Sequence, residues 1–233
     1  MNKVGPIGKF FSLVLLIFAL NWYGFVVLPW INYGHLPPIQ NGDDDTDISP
    51  FNAPGIAHQG EHIYAANGCV YCHTQQVRDP NSGADIIRGW GTAPDLADPK
   101  AKPITRRTYP RDYIWQGQTF LGNSRDGADL SSVGARYKAA QLYTWLYDPH
   151  AIDAHSSMPA FRFLFVTQKI SGQPSSDALV LPKDEAPPAG FEVVPSDDAK
   201  SLVAYLLSLN KGYELKPDEE GLEYKPPTPG DKS

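Results

Sequence analysis

The sequence has few sulfur-containing residues and no excess of positive charge, and both shortages exclude classes of protein. Only 2 of its 233 residues are cysteine, which excludes a scaffold held by several disulfides and a zinc site with four cysteine ligands. One methionine, Met158, follows the initiator, so a thioether ligand can come from one position alone. The net charge of −6 disfavours a basic nucleic-acid-binding face, and no nucleic-acid partner is expected.

Charge is also missing from residues 10–31, which form one apolar stretch. A run of about 20 apolar residues spans the hydrocarbon core of a bilayer. A cleaved signal peptide would have a shorter apolar region, of about 7–15 residues, followed by small residues. Trp, Tyr and Pro stand there instead. We therefore predict an uncleaved transmembrane anchor over residues 1–33, held in the lipid bilayer.

The charges on either side of this stretch predict its orientation. Lys3 and Lys9 precede it, and the acidic run at residues 43–47 follows. The next basic residue is Arg78. Because positive charge is enriched on the cytoplasmic side, the N-terminus is predicted to be cytoplasmic and the rest of the chain extracytoplasmic.

The remaining chain divides by composition into a linker, a domain and a tail. Residues 34–54 are acidic and contain several prolines, which predicts a linker without regular elements. The domain is predicted over residues 55–210, with helices at 55–73, 139–147 and 196–210. Residues 211–233 are charged and rich in proline, which predicts a disordered tail. No strand pattern is strong enough to build a sheet, so an all-α fold with long irregular loops is predicted.

Both cysteines lie in one five-residue motif, Cys69-Val70-Tyr71-Cys72-His73. Cys-x-x-Cys-His is the attachment site of a c-type haem, with Cys69 and Cys72 as thioether donors and His73 as the proximal iron ligand. A thioredoxin-like pair would need a βαβ setting, and a zinc site would need two more ligands at similar spacing. A disulfide across two residues would be strained. The sequence therefore predicts one covalently bound haem c.

Few side chains in this sequence could supply the second axial ligand of the haem iron. Methionine is the usual partner of histidine in electron-transfer haems, and Met158 is the one candidate thioether. Pro159 follows it, which favours an extended backbone at the ligand. His150 and His155 are competing ligands near the same position. An open sixth position would instead allow small molecules to bind.

Several stretches resemble one family of haem proteins. They are GEHIYAANGCVYCH at 60–73, the segment 109–137, which includes GADL and VGARY, and LYDPHAIDAHSSMPA at 146–160. Together they resemble the membrane-anchored mono-haem subunit (subunit II, the O subunit) of cbb3-type cytochrome c oxidases. The chain departs from that pattern at Ala128, where proline is usual. Residues 83–107 and 168–195 look like added segments.

The resemblance implies a class I cytochrome c domain that has no substrate-converting site of its own. It would relay single electrons to the haem–copper catalytic subunit that reduces dioxygen, alongside other cytochrome subunits of the complex. A soluble cytochrome c is a further candidate partner. The location implied is the inner membrane of a bacterium, with the haem domain in the periplasm. Arg136, in the VGARY stretch, is a candidate contact of a haem propionate because guanidinium matches carboxylate geometry.

Other functions stay open at this point. An anchored cytochrome c could serve another respiratory complex, such as a nitric-oxide reductase or a quinol-oxidising complex. A haem sensor or peroxidase-like protein would need an exchangeable sixth ligand, and Met158 argues against it. A structural subunit whose haem is incidental is also compatible with the sequence.

Overall fold

The computed structural model describes residues 5–40, 48–94, 100–182 and 185–216. The chain divides into two compact units. The first contains Met1–Ile48, Tyr109–Ile114 and Leu215–Ser233, and the second contains Ser49–Thr108 and Trp115–Glu214.

A long apolar helix dominates the first unit. It consists of α1 (Pro6–Trp22), a π-helical turn (Tyr23–Val27) and α2 (Leu28–Tyr33). Leu28 separates the π-helical turn from Pro29, which has no N–H to donate to the carbonyl four residues earlier. The whole segment Pro6–Tyr33 has 28 residues and a mean hydropathy of 2.2, and its side chains are not buried. By length and composition it is a candidate membrane span, and it contains the predicted residues 10–31.

The predicted linker is not wholly irregular. Two strands of two residues each, β1 (Ile39–Gln40) and β2 (Ile48–Ser49), flank the acidic run. The run itself, at 43–47, lies outside the described residues.

Two helices form the centre of the second unit. Helix α3 (Gly55–Ala66) packs directly on α7 (Asp197–Ser208). A Cβ at Gly60 would lie 1.9 Å from the carbonyl oxygen of Ser201, so only glycine permits this approach. Helix α7 begins as predicted, because the Ala199 N–H donates to Ser196 Oγ at 3.2 Å. Its predicted apolar stripe is buried in the core: Leu202, Tyr205, Leu206 and Leu209.

Three short helices complete the helical part. They are α4 (Cys69–Cys72), α5 (Val133–Arg136) and α6 (Ala139–Tyr147). Helix α6 has the predicted bounds and ends before Asp148-Pro149. Single 3-10 turns occur at Pro110–Tyr113, Pro149–Ala151 and Arg162–Leu164.

The prediction that no sheet would form was wrong. Strands β5 (Phe165–Lys169) and β6 (Phe191–Pro195) pair antiparallel, with Phe165 opposite Pro195. Strands β3 (Thr92–Ala93) and β4 (Ile104–Thr105) form a second, shorter pair. More than 20 residues separate β5 from β6, so local periodicity could not reveal their pairing.

The first residues of the predicted tail lie within the described part of the chain. Lys211 is buried, and the guanidinium of Arg106 lies 4.7 Å from the ring centroid of Tyr213. The chain from residue 217 onward lies outside the described residues.

Candidate haem-binding site

One cavity in the second unit brings all five predicted site residues together. Its volume is about 440 Å³, within the range of ordinary ligand pockets. Cys69, Cys72, His73, Arg136 and Met158 all line it. Leucines from α6 and α7 line much of the rest: Leu142, Leu146, Leu202 and Leu206. The lining therefore suits a large apolar group that carries a few polar ones.

The cysteine motif forms a single helical turn after a break in the chain. Gly68 has a φ of 72°, a left-handed conformation that favours glycine, and it separates α3 from α4. A hydrogen bond from the His73 N–H to the Cys69 carbonyl, 2.9 Å long, closes this turn. Cys69 is half-buried and Cys72 is exposed, and burial raises the pKa of the Cys69 thiol to about 11. Cys69 is therefore a protonated thiol at neutral pH.

The tautomer of His73 is fixed by a backbone carbonyl. Its Nδ1 lies 2.8 Å from the Ala128 oxygen. Because a carbonyl can only accept, Nδ1 carries the hydrogen and Nε2 keeps its lone pair, which is the form that binds a metal. Burial lowers the pKa of His73, and this outweighs the opposing effects of the Ala128 hydrogen bond and the Asp129 charge. The imidazole is thus held neutral.

Gly127 forms a wall against this imidazole. A Cβ at Gly127 would lie 2.5 Å from Cε1 of His73, closer than atoms can approach. The Gly127 N–H also donates to the Cys72 carbonyl at 2.9 Å. The segment after Asp126 is therefore fastened to the cysteine motif next to its histidine.

Asp129 holds the same segment from inside the protein. Its side chain is fully buried. The carboxylate accepts from Thr74 Oγ1 at 2.7 Å and from the Gln76 N–H at 2.9 Å. It also accepts from the N–H and the hydroxyl of Ser131. Asp129 thus ties the residue next to His73 to the segment that supplies the Ala128 carbonyl.

No pattern in the sequence predicts a role for Gly127 or Asp129. Both lie in the GADL stretch, which was noted only as part of a resemblance. Their contacts with Cys72, Thr74 and Gln76 join residues more than 50 positions apart, and no local pattern encodes them.

Met158 lies in the long connection between α6 and β5. It is half-buried, packs against the core, and its N–H donates to Ser156 Oγ at 3.2 Å. Of the competing histidines, His155 also lines the cavity and therefore stays an alternative ligand. His150 is exposed beside Asp148 and is not among the described residues that line the cavity.

Arg136 is the arginine that lines the cavity. One terminal nitrogen donates to the Asp129 carbonyl at 2.6 Å. Its Nε is buried and has no hydrogen-bond partner in the part of the chain that the structure describes. Burial lowers the pKa of Arg136, but guanidinium stays charged at all ordinary pH values. Because its guanidinium matches the geometry of a carboxylate, Arg136 suits a group in the cavity that carries an acidic oxygen, such as a propionate.

One comparison with known proteins identifies a family. The family model described as "Cytochrome C oxidase, mono-heme subunit/FixO" matches residues 40–187, more than half of the chain. The matched region includes Cys69, Cys72, His73, Arg136 and Met158. A comparison with curated proteins found no match.

Proposed function

Because the chain belongs to the mono-haem subunit (FixO) family of cytochrome c oxidases, we propose that it is a membrane-anchored class I cytochrome c. Its role is to relay single electrons to the haem–copper catalytic subunit of a cbb3-type terminal oxidase. One observation supports this most directly. The two cysteines, both axial-ligand candidates and the unsatisfied Arg136 all line one cavity.

Each of these residues has a distinct role in the proposal. Cys69 and Cys72 hold one haem c through two thioether bonds. His73 and Met158 would bind the iron, and Arg136 would pair with a propionate from the cavity wall. When bound, the haem supplies a ferric/ferrous couple that exchanges one electron at a time. The protein itself performs no bond-making chemistry on a substrate.

The protein environment of His73 suits this role. The Ala128 carbonyl keeps Nδ1 protonated and directs Nε2 to the metal. Asp129 and Gly127 fix that carbonyl and the imidazole relative to the cysteine motif. A rigid ligand set changes little between the two oxidation states, which favours fast electron transfer.

The proposed location follows from the helix Pro6–Tyr33 and the charges around it. The helix anchors the chain in the inner membrane of a bacterium. Lys3 and Lys9 keep the N-terminus in the cytoplasm, so the haem domain is periplasmic. Its partners there are the catalytic subunit, other cytochrome subunits of the complex and a soluble cytochrome c.

The decisive experiment is a gentle detergent purification of the protein from its native membranes. Mass spectrometry would identify the chains that purify with it, and a reduced-minus-oxidised spectrum would report the haem types. We expect a large haem–copper subunit, copper and b-type haem to accompany the chain. A chain that purifies alone, or with a quinol-oxidising complex or nitric-oxide reductase, would refute the assignment to the oxidase. If the purified chain lacks the absorbance of covalently bound haem, the assignment as a cytochrome c is refuted.

A further inference from the structure

Arg162 connects three parts of the molecule around the loop that carries Met158. Its terminal nitrogen lies 2.7 Å from Glu185 Oε2 and 3.4 Å from Asp148 Oδ2. Its guanidinium carbon lies 5.1 Å from the ring centroid of Tyr147, close enough for a cation–π contact. One side chain thus joins the end of α6, the start of β5 and the segment between β5 and β6.

The loop in question runs from the end of α6 to the beginning of β5. Single 3-10 turns are its regular elements, and Met158 lies between them. Two contacts close the loop where its ends meet. The Phe161 N–H donates to the Leu146 carbonyl at 2.8 Å, and Arg162 pairs with Asp148. We call residues 148–162 the methionine loop.

The segment between β5 and β6 reaches this loop through Glu185. This segment lies in residues 168–195, which look like an addition to the family pattern. It folds back on its own hairpin, since the Leu179 N–H donates to the Val193 carbonyl at 2.8 Å. It is then attached at two separate points. Asp177 pairs with Lys200 of α7 at 2.9 Å, and Glu185 pairs with Arg162.

We propose that Arg162 is a positioning residue for Met158, and that Glu185 makes the segment between β5 and β6 a brace for the methionine loop. The proposal rests on the proposed function, because it takes Met158 as an axial ligand. A ligand carried by a loop dissociates when the loop opens locally. The contacts of Arg162 join both ends of this loop and the brace, so opening breaks them. They therefore keep the open form rare.

The rate of cyanide binding to the oxidised haem measures this opening, because cyanide needs the position that Met158 occupies. The experiment uses the full chain in detergent. We expect Arg162→Gln and Glu185→Gln to bind cyanide about five- to tenfold faster, given the modest strength of partly exposed ion pairs and cation–π contacts. Arg162→Lys keeps the charge but loses the planar stack, and its rate should be intermediate.

Asp177→Asn is the matched control. It removes an ion pair of similar exposure from the same segment, with side chains 34% and 42% exposed against 28% and 47% for Glu185 and Arg162. That pair lies outside the methionine loop, so the Asp177→Asn variant should bind cyanide at the same rate as the wild type. Denaturant unfolding followed by tryptophan fluorescence is run on every variant, which separates local opening from loss of global stability.

The cyanide-binding rates of Glu185→Gln and Asp177→Asn decide whether the segment between β5 and β6 acts as a brace. Faster cyanide binding in Glu185→Gln but not in Asp177→Asn, at equal global stability, supports the brace. Unchanged rates in Glu185→Gln, or equal acceleration in the control, would overturn it. Glu185→Gln alters a partly exposed side chain, so it stays informative if Arg162→Gln does not fold. A wild-type protein without covalent haem would overturn the proposed function and this proposal together. A Met158→Ala variant with the wild-type spectrum would overturn this proposal alone, because the haem would then have another ligand.

Discussion

The proposed axial ligands, His73 and Met158, are the residues on which the redox behaviour would depend most directly. His73 is held by the Ala128 carbonyl, and Met158 is the one thioether available beyond the initiator. Both line the cavity, and so does His155. The choice between Met158 and His155 therefore needs a measurement at the level of single residues.

Met158→Ala should leave the haem covalently attached while changing its iron chemistry. Loss of a thioether ligand lowers the potential, by on the order of 0.1 V, within the ~0.8 V range over which axial ligands act. The reduced protein should then bind carbon monoxide. Redox titration and visible spectra of the variant test this. His155→Ala is the control and should behave as the wild type. If His155→Ala changes the potential and the spectrum while Met158→Ala behaves as the wild type, His155 is the ligand.

Asp129→Asn should destabilise the protein, because the buried carboxylate accepts four hydrogen bonds that an amide cannot all replace. The expected loss in free energy of unfolding is about 3 kcal/mol, from hydrogen bonds to a charged acceptor that are left unmade. Denaturant unfolding gives the value. Asp126→Asn changes an exposed carboxylate three residues earlier and should cost less than ~0.5 kcal/mol. Equal losses would show that burial of Asp129 is energetically unimportant.

At the scale of elements, close contacts of backbone with backbone decide how the second unit is assembled. Helices α3 and α7 meet at Gly60, where any side chain would clash with the Ser201 carbonyl. Gly134 of α5 makes a similar approach to the carbonyl of Leu207 in α7. Because α7 also contributes Leu202 and Leu206 to the cavity, this packing positions the apolar side of the haem site.

Gly60→Ala tests the crossing of α3 and α7. Alanine favours a free helix by ~1 kcal/mol over glycine, but here its Cβ would force the two helices apart. We expect a net loss of about 3 kcal/mol in unfolding free energy, at the upper end of overpacking costs. Gly55→Ala, at the start of the same helix, meets no atom within 4 Å and should be neutral or stabilising. A stable Gly60→Ala variant would show that the helices can separate at little cost.

Two arginines around the buried Asp85 carboxylate fix the segment that follows the cysteine motif. Asp85 has a side chain that is 1% exposed, and it accepts from Arg78 NH2 at 2.9 Å. Arg125 NH1 lies 2.8 Å from the same carboxylate. Burial by itself would raise the pKa of Asp85, but hydrogen bonds from Arg78 and the charges of Arg125 and Arg78 hold it below its ordinary value. The cluster therefore stabilises the fold while Asp85 is ionised.

This lowered pKa predicts a pH dependence of stability. The contribution is complete above the unfolded-state pKa of Asp, about 3.9, and is lost as the pH falls through the lower folded-state value. Asp85→Asn should therefore cost about 2 kcal/mol at pH 7, because hydrogen bonds to a buried charged acceptor are lost while the arginines stay partly solvated. The difference from wild type should shrink in strong acid. Unfolding curves between neutral and acidic pH measure it.

Asp79→Asn is the control for the Asp85 variant. Its carboxylate is 31% exposed and pairs with Arg107 at 3.1 Å. Such an exposed pair contributes at most about 1 kcal/mol. If the difference in unfolding free energy between Asp85→Asn and the wild type did not depend on pH, the role of the ionised carboxylate would be contradicted.

At the scale of the whole molecule, the helix Pro6–Tyr33 determines where the protein works. We expect the mature protein to keep it, because its apolar length exceeds that of a signal peptide. The intact mass of the purified protein should equal that of the full chain plus one haem. The protein should also stay with membranes during alkaline extraction. An N-terminal sequence that begins after residue 33 would contradict the anchor.

The sequence by itself determined the features that depend on neighbouring residues. The apolar length of the anchor, the Cys-x-x-Cys-His motif, the bounds of α6 and the Ser196 cap of α7 are all local patterns. Each is set by short-range geometry, by hydrogen bonds within a turn or by hydropathy. This is why they could be read without a fold, and why the family resemblance was correct.

Only the tertiary structure decided which distant groups meet. The carbonyl that orients His73, the glycine beside its ring and the carboxylate behind it all come from residues 127–129. The pairing of β5 with β6 and the contact of Arg162 with Glu185 likewise join segments far apart in the chain. Such contacts depend on the packing of the entire second unit, and a single sequence carries no local periodicity that specifies them.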